Sequence, residues 1–267
     1  MNERRMSETR KGEVVLRTHS LVKRFGGIAA TNDVSMQVER GARHALIGPN
    51  GAGKTTLINL LTGVAAPTSG RVELLGQDIT SLAPHLRVGR GLVRTFQINQ
   101  LFASFTPLES LALAVSSRLD AARRFWQPVG SDAAIAGECE ALLGQFRLLE
   151  HAEQPTRELP YGKRRLLEIA LAVAQRPQVL LLDEPAAGVP AAERADILAT
   201  VAALPADVAV LLIEHDMDLV FSFATRITVL VNGAVLTEGT PADIAADPRV
   251  KAVYLGDAEF NAELAHG

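Results

Sequence analysis

The first part of the chain contains short segments in which apolar and polar residues alternate. Val14–Phe25 and residues 34–38 follow this pattern, which is typical of half-buried β-strands. A Gly-Gly pair at 26–27 predicts the turn between them. We expect these two strands to form a strand-rich layer together with strands at 45–47 and 71–75.

Two later runs are apolar without interruption, and each ends in charged residues. Residues 179–182 precede Asp183, and residues 208–213 precede Glu214. Unbroken apolar runs of this length are typical of central parallel strands, which are buried on both faces. The pattern therefore predicts an α/β fold with a parallel sheet. A hairpin is predicted around an Asn-Gly pair, by segments 227–231 and 234–238.

Apolar residues at intervals of three and four dominate the middle of the chain. This helical spacing extends from residue 98 to about residue 157, and we expect a helical subdomain inserted into the α/β core. Further helices are predicted at 80–90, 164–175, 191–203 and near residues 242 and 250. The expected organisation is a lead-in at 1–12, an α/β core at 13–97 and 158–256, the helical subdomain at 98–157 and a C-terminal tail at 257–267.

Composition and charge argue against several classes of protein. A net charge of −3 and an aromatic content of 4% provide neither a basic footprint nor a stacking surface, so no nucleic-acid partner is expected. The lone Cys139 excludes an internal disulfide and is expected to be a buried filler on a helix. Residues 1–11 lack the apolar segment of a secretory signal, and no run approaches the roughly 18 apolar residues of a membrane span. We therefore expect a soluble intracellular protein.

The strongest chemical signal lies between the strand at 45–47 and a segment with helical spacing. Gly48, Gly53 and Lys54 fit the pattern of a phosphate-binding loop, in which backbone N–H groups and a helix N-terminus surround an anion. Lys54 would reach the β- and γ-phosphates, and the Thr55 hydroxyl would bind Mg²⁺. A glycine-rich turn with a chance lysine is the alternative, but it does not require the flanking strand and helix. The predicted loop consists of Gly48, Pro49, Asn50, Gly51, Ala52, Gly53, Lys54, Thr55 and Thr56.

Side chains at the ends of the two apolar runs are candidates for catalysis. Ligands of α/β sheets bind at the carboxyl ends of the strands. There, Asp183 would hold Mg²⁺ through its water shell, and Glu184 would polarise the water that attacks the γ-phosphate. His215 follows the neighbouring strand and is expected to reach the same phosphate. The alternatives are a solvated strand end for the carboxylates and a structural role for the histidine.

Two groups of apolar residues keep both a structural and a functional interpretation. Phe25 precedes the loop at a distance where it could stack on a base, although a core or turn position is the commoner role for such a residue. Leu101, Phe102, Phe105 and Leu108 form a cluster at the start of the helical segment. They predict either core packing or an exposed groove for the helix of a partner.

The order and spacing of these motifs resemble the nucleotide-binding subunit of an ATP-binding-cassette (ABC) transporter. The similarity covers residues 14–256, and it implies a P-loop NTPase fold with a RecA-like core, an antiparallel β layer and an inserted α-helical subdomain. Segments 91–97, 161–162, 183–188 and 253–256 look like the subgroup that serves branched-chain amino-acid uptake. That subgroup includes importers of urea, short amides and other organic acids, and the chain is most similar to the longer of its two ATPase subunits.

The resemblance also implies ligands, roles and partners. Phe25 would stack on the adenine of ATP, and Gln97 would contact Mg²⁺ or the attacking water. Glu184 would be the general base, and His215 would bind the γ-phosphate and position Glu184. Two such subunits would face each other head to tail beneath transmembrane permease subunits, peripheral on the inner face of the cell membrane. An extracytoplasmic solute-binding protein would act with them indirectly.

Two segments depart from the family pattern. The signature segment, which completes the ATP site of the partner subunit, reads Leu159, Pro160, Tyr161, Gly162 and Lys163. Pro160 supplies no hydroxyl for the γ-phosphate, whereas Gly162 and the helix start still offer backbone N–H groups and Lys163 adds a positive charge. Val189-Pro190 stands where the family usually has an Asp or Asn facing the partner.

The sequence therefore predicts an ATPase that energises an importer. There are two alternatives: a regulatory cassette with weak hydrolysis, suggested by Pro160 and Pro190, and a soluble cassette ATPase that acts on ribosomes or DNA. The second usually has paired cassettes or basic stretches, and neither is visible in the sequence. The transported solute is not encoded in these motifs.

Overall fold

The fold was obtained as a computed structural model that describes residues 12–95, 101–119 and 133–254. The strands are β1 Val14–Phe25, β2 Ile28–Val34, β3 Gln37–Glu39, β4 Arg43–Ile47, β5 Ser69–Leu74, β6 Gln77–Asp78, β7 Leu92–Arg94, β8 Val179–Asp183, β9 Ala209–Ile213, β10 Arg226–Val231 and β11 Ala234–Gly239. The helices are α1 Lys54–Thr62, α2 Pro84–Gly89, α3 Pro107–Arg118, α4 Ala133–Gln145, α5 Tyr161–Val173, α6 Ala191–Ala202, α7 Met217–Phe223, α8 Pro241–Ala246 and α9 Pro248–Tyr254. Two short 3-10 helices, Leu149–His151 and Thr156–Glu158, lie between α4 and α5.

A mostly parallel sheet forms the centre of the molecule. In the described residues its strand order is β11-β10-β4-β9-β8-β7, with only β11 antiparallel to its neighbour. Leu46 on β4 lies opposite Ile213 on β9, and Ile213 lies opposite Asp183 on β8. Because these three strands are parallel and end in register, the segments that follow them leave the sheet at the same edge.

Both faces of this sheet are covered, which explains the unbroken apolar runs. Leu180 and Leu182 of β8 pack on one face, with the buried residues of α3–α6. Val179 and Leu181 pack on the other face, with α1 and the antiparallel strands. A strand in this position has no solvent-facing side on which a polar residue would be favourable. The predicted central strands at 179–182 and 208–213 are therefore confirmed as β8 and β9, the latter beginning at Ala209.

The antiparallel sheet has the order β2-β1-β5-β6, with β3 also paired to β1. The predicted membership of this layer was wrong for residues 45–47, since β4 is buried in the parallel sheet. The single strand predicted at 34–38 was also wrong, because β2 ends at Val34 and β3 begins at Gln37. Between β2 and β3 the Thr18 hydroxyl satisfies two backbone groups: it donates to Val34 O at 2.9 Å and accepts from Met36 N at 3.0 Å.

The predicted helices are present, with differences at their ends. The helix predicted at 164–175 begins at Tyr161, and α7 was not predicted, since its seven residues span only two helical turns. Cys139 is buried on α4, as expected. The hairpin predicted at 227–238 is confirmed as β10 and β11. The domain boundaries, including those of the helical subdomain at 98 and 157, stay predictions.

Candidate functional site

The glycines of the predicted phosphate loop are required by close backbone contacts. Gly48 has a φ of 154°, and a Cβ atom there would lie 2.1 Å from the Leu230 carbonyl oxygen. Gly53 has a φ of 99°, and its Cβ would lie 2.3 Å from the Ala30 carbonyl oxygen. Both distances are far shorter than van der Waals contact, so neither position accepts a side chain. The loop is therefore held between β10 and the hairpin of β1 and β2.

The helix that follows presents an uncapped N-terminus. Leu57 N donates to Gly53 O at 2.9 Å, which closes the first turn of α1. The N–H groups of Lys54, Thr55 and Thr56 precede this bond and therefore have no carbonyl partner within the helix. Gly53 supplies no side-chain cap, and no acidic residue lies in the first turn. These donors and the helix dipole form an anion-binding site.

Lys54 lies at the centre of this site. Its Nζ donates to the carbonyl oxygens of Gly48 and Pro49 at 2.5 and 3.1 Å. Burial lowers the pKa of the Lys54 ammonium, while the nearby carboxylates of Glu184 and Asp183 act in the opposite direction. The charges of Asp183 and Glu184 therefore act on Lys54 from nearby.

Asp183 is fixed by an arginine that the sequence analysis did not single out. Arg94, at the end of β7, donates from Nη2 to Asp183 Oδ2 at 2.6 Å and from Nη1 to Asn59 Oδ1 at 2.8 Å. Both charged side chains are buried, and the ion pair compensates for their desolvation. The arginine was visible only as part of segment 91–97, since no local pattern connects it to a carboxylate 89 residues away.

Glu184 and His215 leave neighbouring strands and face each other. Glu184 Oε1 lies 3.7 Å from His215 Nδ1, which is within ion-pair range. The Glu184 backbone has a φ of 47°, uncommon for a residue other than glycine, and its N–H donates to Ile213 O at 2.9 Å. Non-glycine residues held in this region cost about 1–3 kcal/mol and cluster at active sites. The His215 side chain is 67% exposed, so that it is accessible to a ligand.

Glu214 is a second residue that sequence reasoning missed. Its buried carboxylate accepts from Ala186 N and from His215 N, each at 3.3 Å. Burial raises its pKa, although these hydrogen bonds and His215 partly offset the effect. Glu214 therefore connects the segment after Glu184 to the segment that carries His215. The available signal was a carboxylate immediately after an apolar run, the same signal that identified Asp183.

The signature segment surrounds the start of α5. Leu159 is buried, and Pro160 is the N-cap, without a side-chain hydrogen bond to the helix. The Tyr161 hydroxyl donates to Ala187 O at 3.2 Å. A Cβ at Gly162 would lie 2.1 Å from Glu193 Oε2, so the glycine lets the Glu193 side chain lie against the start of α5. Lys163 Nζ donates to Arg147 O at 2.9 Å, so in this conformation its charge is directed toward the end of α4.

The remaining predicted ligands have different environments. Phe25 is 57% exposed, with Lys23 Nζ 5.1 Å from the ring centre, so it is a turn residue and not a core residue. Gln97 lies outside the described residues. Of the apolar cluster, Phe102 is 60% exposed and stacks on Phe105 with ring centres 4.9 Å apart. Phe102 and Leu101 border a cavity of about 310 Å³ between α3 and α5, which favours the groove over core packing.

The site thus combines an anion-binding helix start, a lysine, a fixed aspartate and a Glu–His pair at one edge of the parallel sheet. The geometry suits binding and hydrolysis of a triphosphate. Within the described ranges, no helix combines the length and the hydropathy needed to cross a bilayer. In the same ranges, His, Cys, Asp and Glu side chains form no group of three or more that could hold a metal ion on its own.

Comparison with known proteins identifies the family. Residues 31–187 match the family model described as ABC transporter, and residues 234–259 match that described as branched-chain amino acid ATP-binding cassette transporter. The high-affinity branched-chain amino acid transport ATP-binding protein BraF of Pseudomonas aeruginosa is 42% identical over an alignment of 255 positions, and the match covers 91% of this chain and 98% of BraF. The chain belongs to the ABC transporter ATP-binding family. The high-affinity branched-chain amino acid transport ATP-binding protein LivG of Escherichia coli is 38% identical over an alignment of 252 positions. This match covers 91% of this chain and 98% of LivG.

Solved structures agree with this assignment. MJ1267, an ATP-binding cassette of an ABC transporter seen in its ADP conformation, superposes with a TM-score of 0.80 at 31% identity. The superposition covers 91% of this chain and 99% of MJ1267. The resemblance and the cassette fold inferred from the sequence are confirmed. As an ABC transporter ATP-binding subunit, the chain binds ATP, hydrolyses it to drive transport and is one part of a transporter complex.

Proposed function

We propose that this subunit energises an importer of branched-chain amino acids, as one of two ATPase subunits on the inner face of the cell membrane. The observation that carries the hydrolytic role is the register of β4, β9 and β8, which brings the phosphate loop, His215 and Glu184 to one edge. The solute assignment is supported by the names of BraF and LivG and by the family match at residues 234–259.

ATP binding would begin at the phosphate loop. Backbone N–H groups of residues 50–56 would donate to the β- and γ-phosphates, and Lys54 would exchange the carbonyls of Gly48 and Pro49 for phosphate oxygens. This exchange is favourable because an ammonium binds a phosphate anion more strongly than a neutral carbonyl. The exposed ring of Phe25 would stack on the adenine.

The residues near Lys54 fit a Mg²⁺ ion that retains several of its waters. The donors are the exposed Thr55 hydroxyl, the Asp183 carboxylate and, by family resemblance, Gln97. One Asp183 oxygen is already bound by Arg94, which leaves the other for the ion or its water. When bound, Mg²⁺ would neutralise part of the charge that develops on the phosphates.

Hydrolysis would depend on the Glu–His pair. Glu184 would accept the proton of the attacking water. His215 would bind the γ-phosphate and also hold the Glu184 carboxylate in position. Their separation of 3.7 Å leaves room for small adjustments when nucleotide binds. Arg94 would act as a positioning residue because it holds Asp183. Glu214 would act as a second one because it accepts hydrogen bonds from the backbone N–H groups of Ala186 and His215.

The signature segment would act across a dimer of ATPase subunits, which is either a homodimer or a heterodimer. Gly162 and the N-terminus of α5 offer N–H donors to the partner's ATP, and Pro160 offers no hydroxyl. The groove beside Phe102 would receive the transmembrane permease subunits, which the extracytoplasmic solute-binding protein engages from the other side.

A single substitution tests the hydrolytic role. Glu184→Gln removes the base and keeps the shape of the side chain, so phosphate release should fall by at least about 100-fold. ATP binding and nucleotide-dependent dimerisation should persist, which size-exclusion chromatography with Mg·ATP would show. Glu140→Gln, at an exposed position on α4, is the matched control and should hydrolyse ATP normally. Unchanged turnover of the Glu184→Gln variant would reject Glu184 as the base.

The second candidate is a regulatory cassette with weak hydrolysis, favoured by Pro160 and Pro190 in the signature and interface segments. ATP turnover of the complete transporter decides between the two candidates. If this chain is a regulatory cassette, replacing its Glu184 should leave the turnover of the transporter unchanged, whereas if it is the hydrolysing subunit the turnover should fall. Uptake of labelled leucine, isoleucine and valine by cells lacking this chain tests the solute. Uptake at the normal rate would refute the assignment, and restoration by Glu140→Gln but not by Glu184→Gln would support it.

A further inference from the structure

A second polar cavity lies at the opposite end of the parallel sheet from the ATP site. Its volume is about 760 Å³, within the range of small-molecule sites. It is lined by the start of β1, by residues 35–44 and by the first residue of β10 with its neighbours. Because β4 and β10 begin here and the phosphate loop follows the end of β4, the cavity is separate from the nucleotide site.

A hydrogen-bonded chain in the wall of this cavity defines the state of His44. Thr228 Oγ1 donates to Glu238 Oε2 at 2.8 Å, and His44 Nε2 lies 2.7 Å from Thr228 Oγ1. A hydroxyl has one proton to donate, so His44 Nε2 must be the donor to Thr228. Burial lowers the pKa of His44 to about 4, and the opposing charges of Glu238 and Arg226 have smaller effects. The ring is therefore neutral near pH 7, and Nδ1 is a bare acceptor.

That acceptor is buried without a partner. His44 is 0% exposed, and among the residues that the structure describes its Nδ1 has no hydrogen-bond partner. An unsatisfied buried acceptor costs about 1–3 kcal/mol. A donor bound in the cavity that His44 lines would recover part of this cost.

Two charged residues of the same wall are also unpaired. Arg40 is bound by Glu13 and Gln178, and Arg226 is bound by Glu238. By contrast, within the described part of the chain neither Arg17 nor Glu39 has an ion-pair partner, and Arg17 Nε is buried without an acceptor.

The strand register places these two residues on one face of the sheet. Arg17 pairs with Gln37 across β1 and β3, and Glu39 lies two residues beyond Gln37. Residues two apart on a strand share a face, so Glu39 lies on the same face of β3 as Gln37, the partner of Arg17, although a register shift separates the Arg17 and Glu39 pairings. Both residues line the cavity, so a cation and an anion are each available to a ligand.

We propose that this cavity binds a small neutral α-amino acid, with its carboxylate on Arg17 and its ammonium between Glu39 and His44 Nδ1. The complementarity concerns both ends of the ligand: the guanidinium requires an anionic acceptor, and the other two groups require a donor. The unpaired charges of the wall sum to zero, which matches a zwitterion better than a simple anion. The site is separate from the hydrolytic role, so either assignment can fail without the other.

Isothermal titration of the full-length chain with L-leucine and with glycine tests the proposal. Saturable binding of one ligand per chain is expected, unchanged when ATP is also present. Arg17→Gln and Glu39→Gln should each raise the dissociation constant by at least about tenfold, because each loses a charge-assisted hydrogen bond to the ligand. Arg24→Gln, at an exposed position on the same strand β1, is the control and should leave the affinity unchanged. ATP affinity measured on each variant confirms that it has folded.

Four results would overturn the assignment. No binding at millimolar leucine or glycine would exclude an amino-acid site. Wild-type affinity in both Arg17→Gln and Glu39→Gln would place any binding elsewhere on the molecule. Displacement of the amino acid by ATP would locate it in the nucleotide site. Acetate binding as tightly as the amino acids would show that the cavity recognises only an anion.

Discussion

Arg94 Nη2 lies 2.6 Å from Asp183 Oδ2, and the two side chains are only 11% and 7% exposed. The other terminal nitrogen of the same guanidinium donates to Asn59 on α1. One arginine therefore joins the strand before Gln97, the strand before Glu184 and the helix that begins at Lys54. This arrangement fixes the aspartate relative to the helix that follows the phosphate loop.

Arg94→Met should destabilise the protein by about 3–5 kcal/mol, because it leaves a buried carboxylate without its counter-charge. Urea denaturation followed by circular dichroism measures the loss. Arg71→Met, at an exposed position on β5, should change the free energy of unfolding by less than about 0.5 kcal/mol. Arg94→Met with Asp183→Asn should recover part of the loss, since the uncompensated charge is then absent. Equal stability of Arg94→Met and Arg71→Met would contradict the interpretation.

The buried Glu214 carboxylate makes stability depend on pH. Burial raises its pKa in the folded state above the ordinary value of 4.5, so the folded state binds the proton more tightly than the unfolded state. Its contribution to stability is therefore largest at low pH and decreases as the pH rises from about 4.5 through the folded-state value. Glu214→Gln cannot ionise and still offers an oxygen to Ala186 N.

The difference between the two proteins is the quantity to measure. The free energy of unfolding of Glu214→Gln minus that of the wild type should increase as the pH rises above 4.5, and then level off. Urea titrations at a series of pH values give this difference directly. A difference that is constant with pH would show that burial does not perturb this carboxylate.

Much of the fold was predictable because burial on both faces leaves a local signature. The runs that became β8 and β9 contain no polar position, and the residues that end them lie at the ligand-binding edge. The phosphate loop was predictable for a related reason, since Gly48 and Gly53 occupy positions where backbone contacts exclude any Cβ.

Other features depend on contacts between distant parts of the chain. Residues 45–47 were assigned to the wrong sheet because an apolar strand of this length carries no information on its partners. The break at residues 35–36 is satisfied by the side chain of Thr18. Arg94 pairs with an aspartate 89 residues away. Such relations arise only when the sheets assemble, and no spacing rule within the sequence contains them.

Arg87 is a fully buried cation at the far end of the phosphate-loop helix. It donates to Leu60 O and Leu61 O at 2.8 and 2.6 Å, and also to Leu82 O and Thr80 O. It therefore satisfies the Leu61 carbonyl in the last turn of α1 and adds a second hydrogen bond to the Leu60 carbonyl, which also accepts from Gly63 N at 3.3 Å. Arg87→Met should cost about 3 kcal/mol or more in unfolding free energy. Arg90→Met, at an exposed position three residues further on, is the control and should lose little stability. An equally small loss in Arg87→Met would refute this role of Arg87.

Arg194 connects the two segments that carry the proposed catalytic pair, Glu184 and His215. Its Nε donates to Val189 O at 2.9 Å, and its Nη1 lies 3.3 Å from Asp216 Oδ2. Asp216 follows His215 and caps α7 by accepting from Leu219 N. The loop after Glu184 is therefore tied to the His215 segment by one guanidinium, which acts as a positioning residue.

Arg194→Gln should lower kcat for ATP hydrolysis severalfold and leave the KM for ATP unchanged, because the phosphate loop does not contact this arginine. Arg194→Lys should restore only part of the rate, since a single ammonium cannot make both contacts with the geometry of a guanidinium. Arg147→Gln removes a more exposed ion pair to Asp196 on α6 and should leave both constants unchanged. A rise in KM with unchanged kcat in Arg194→Gln would place the effect on nucleotide binding and refute a role in aligning Glu184 with His215.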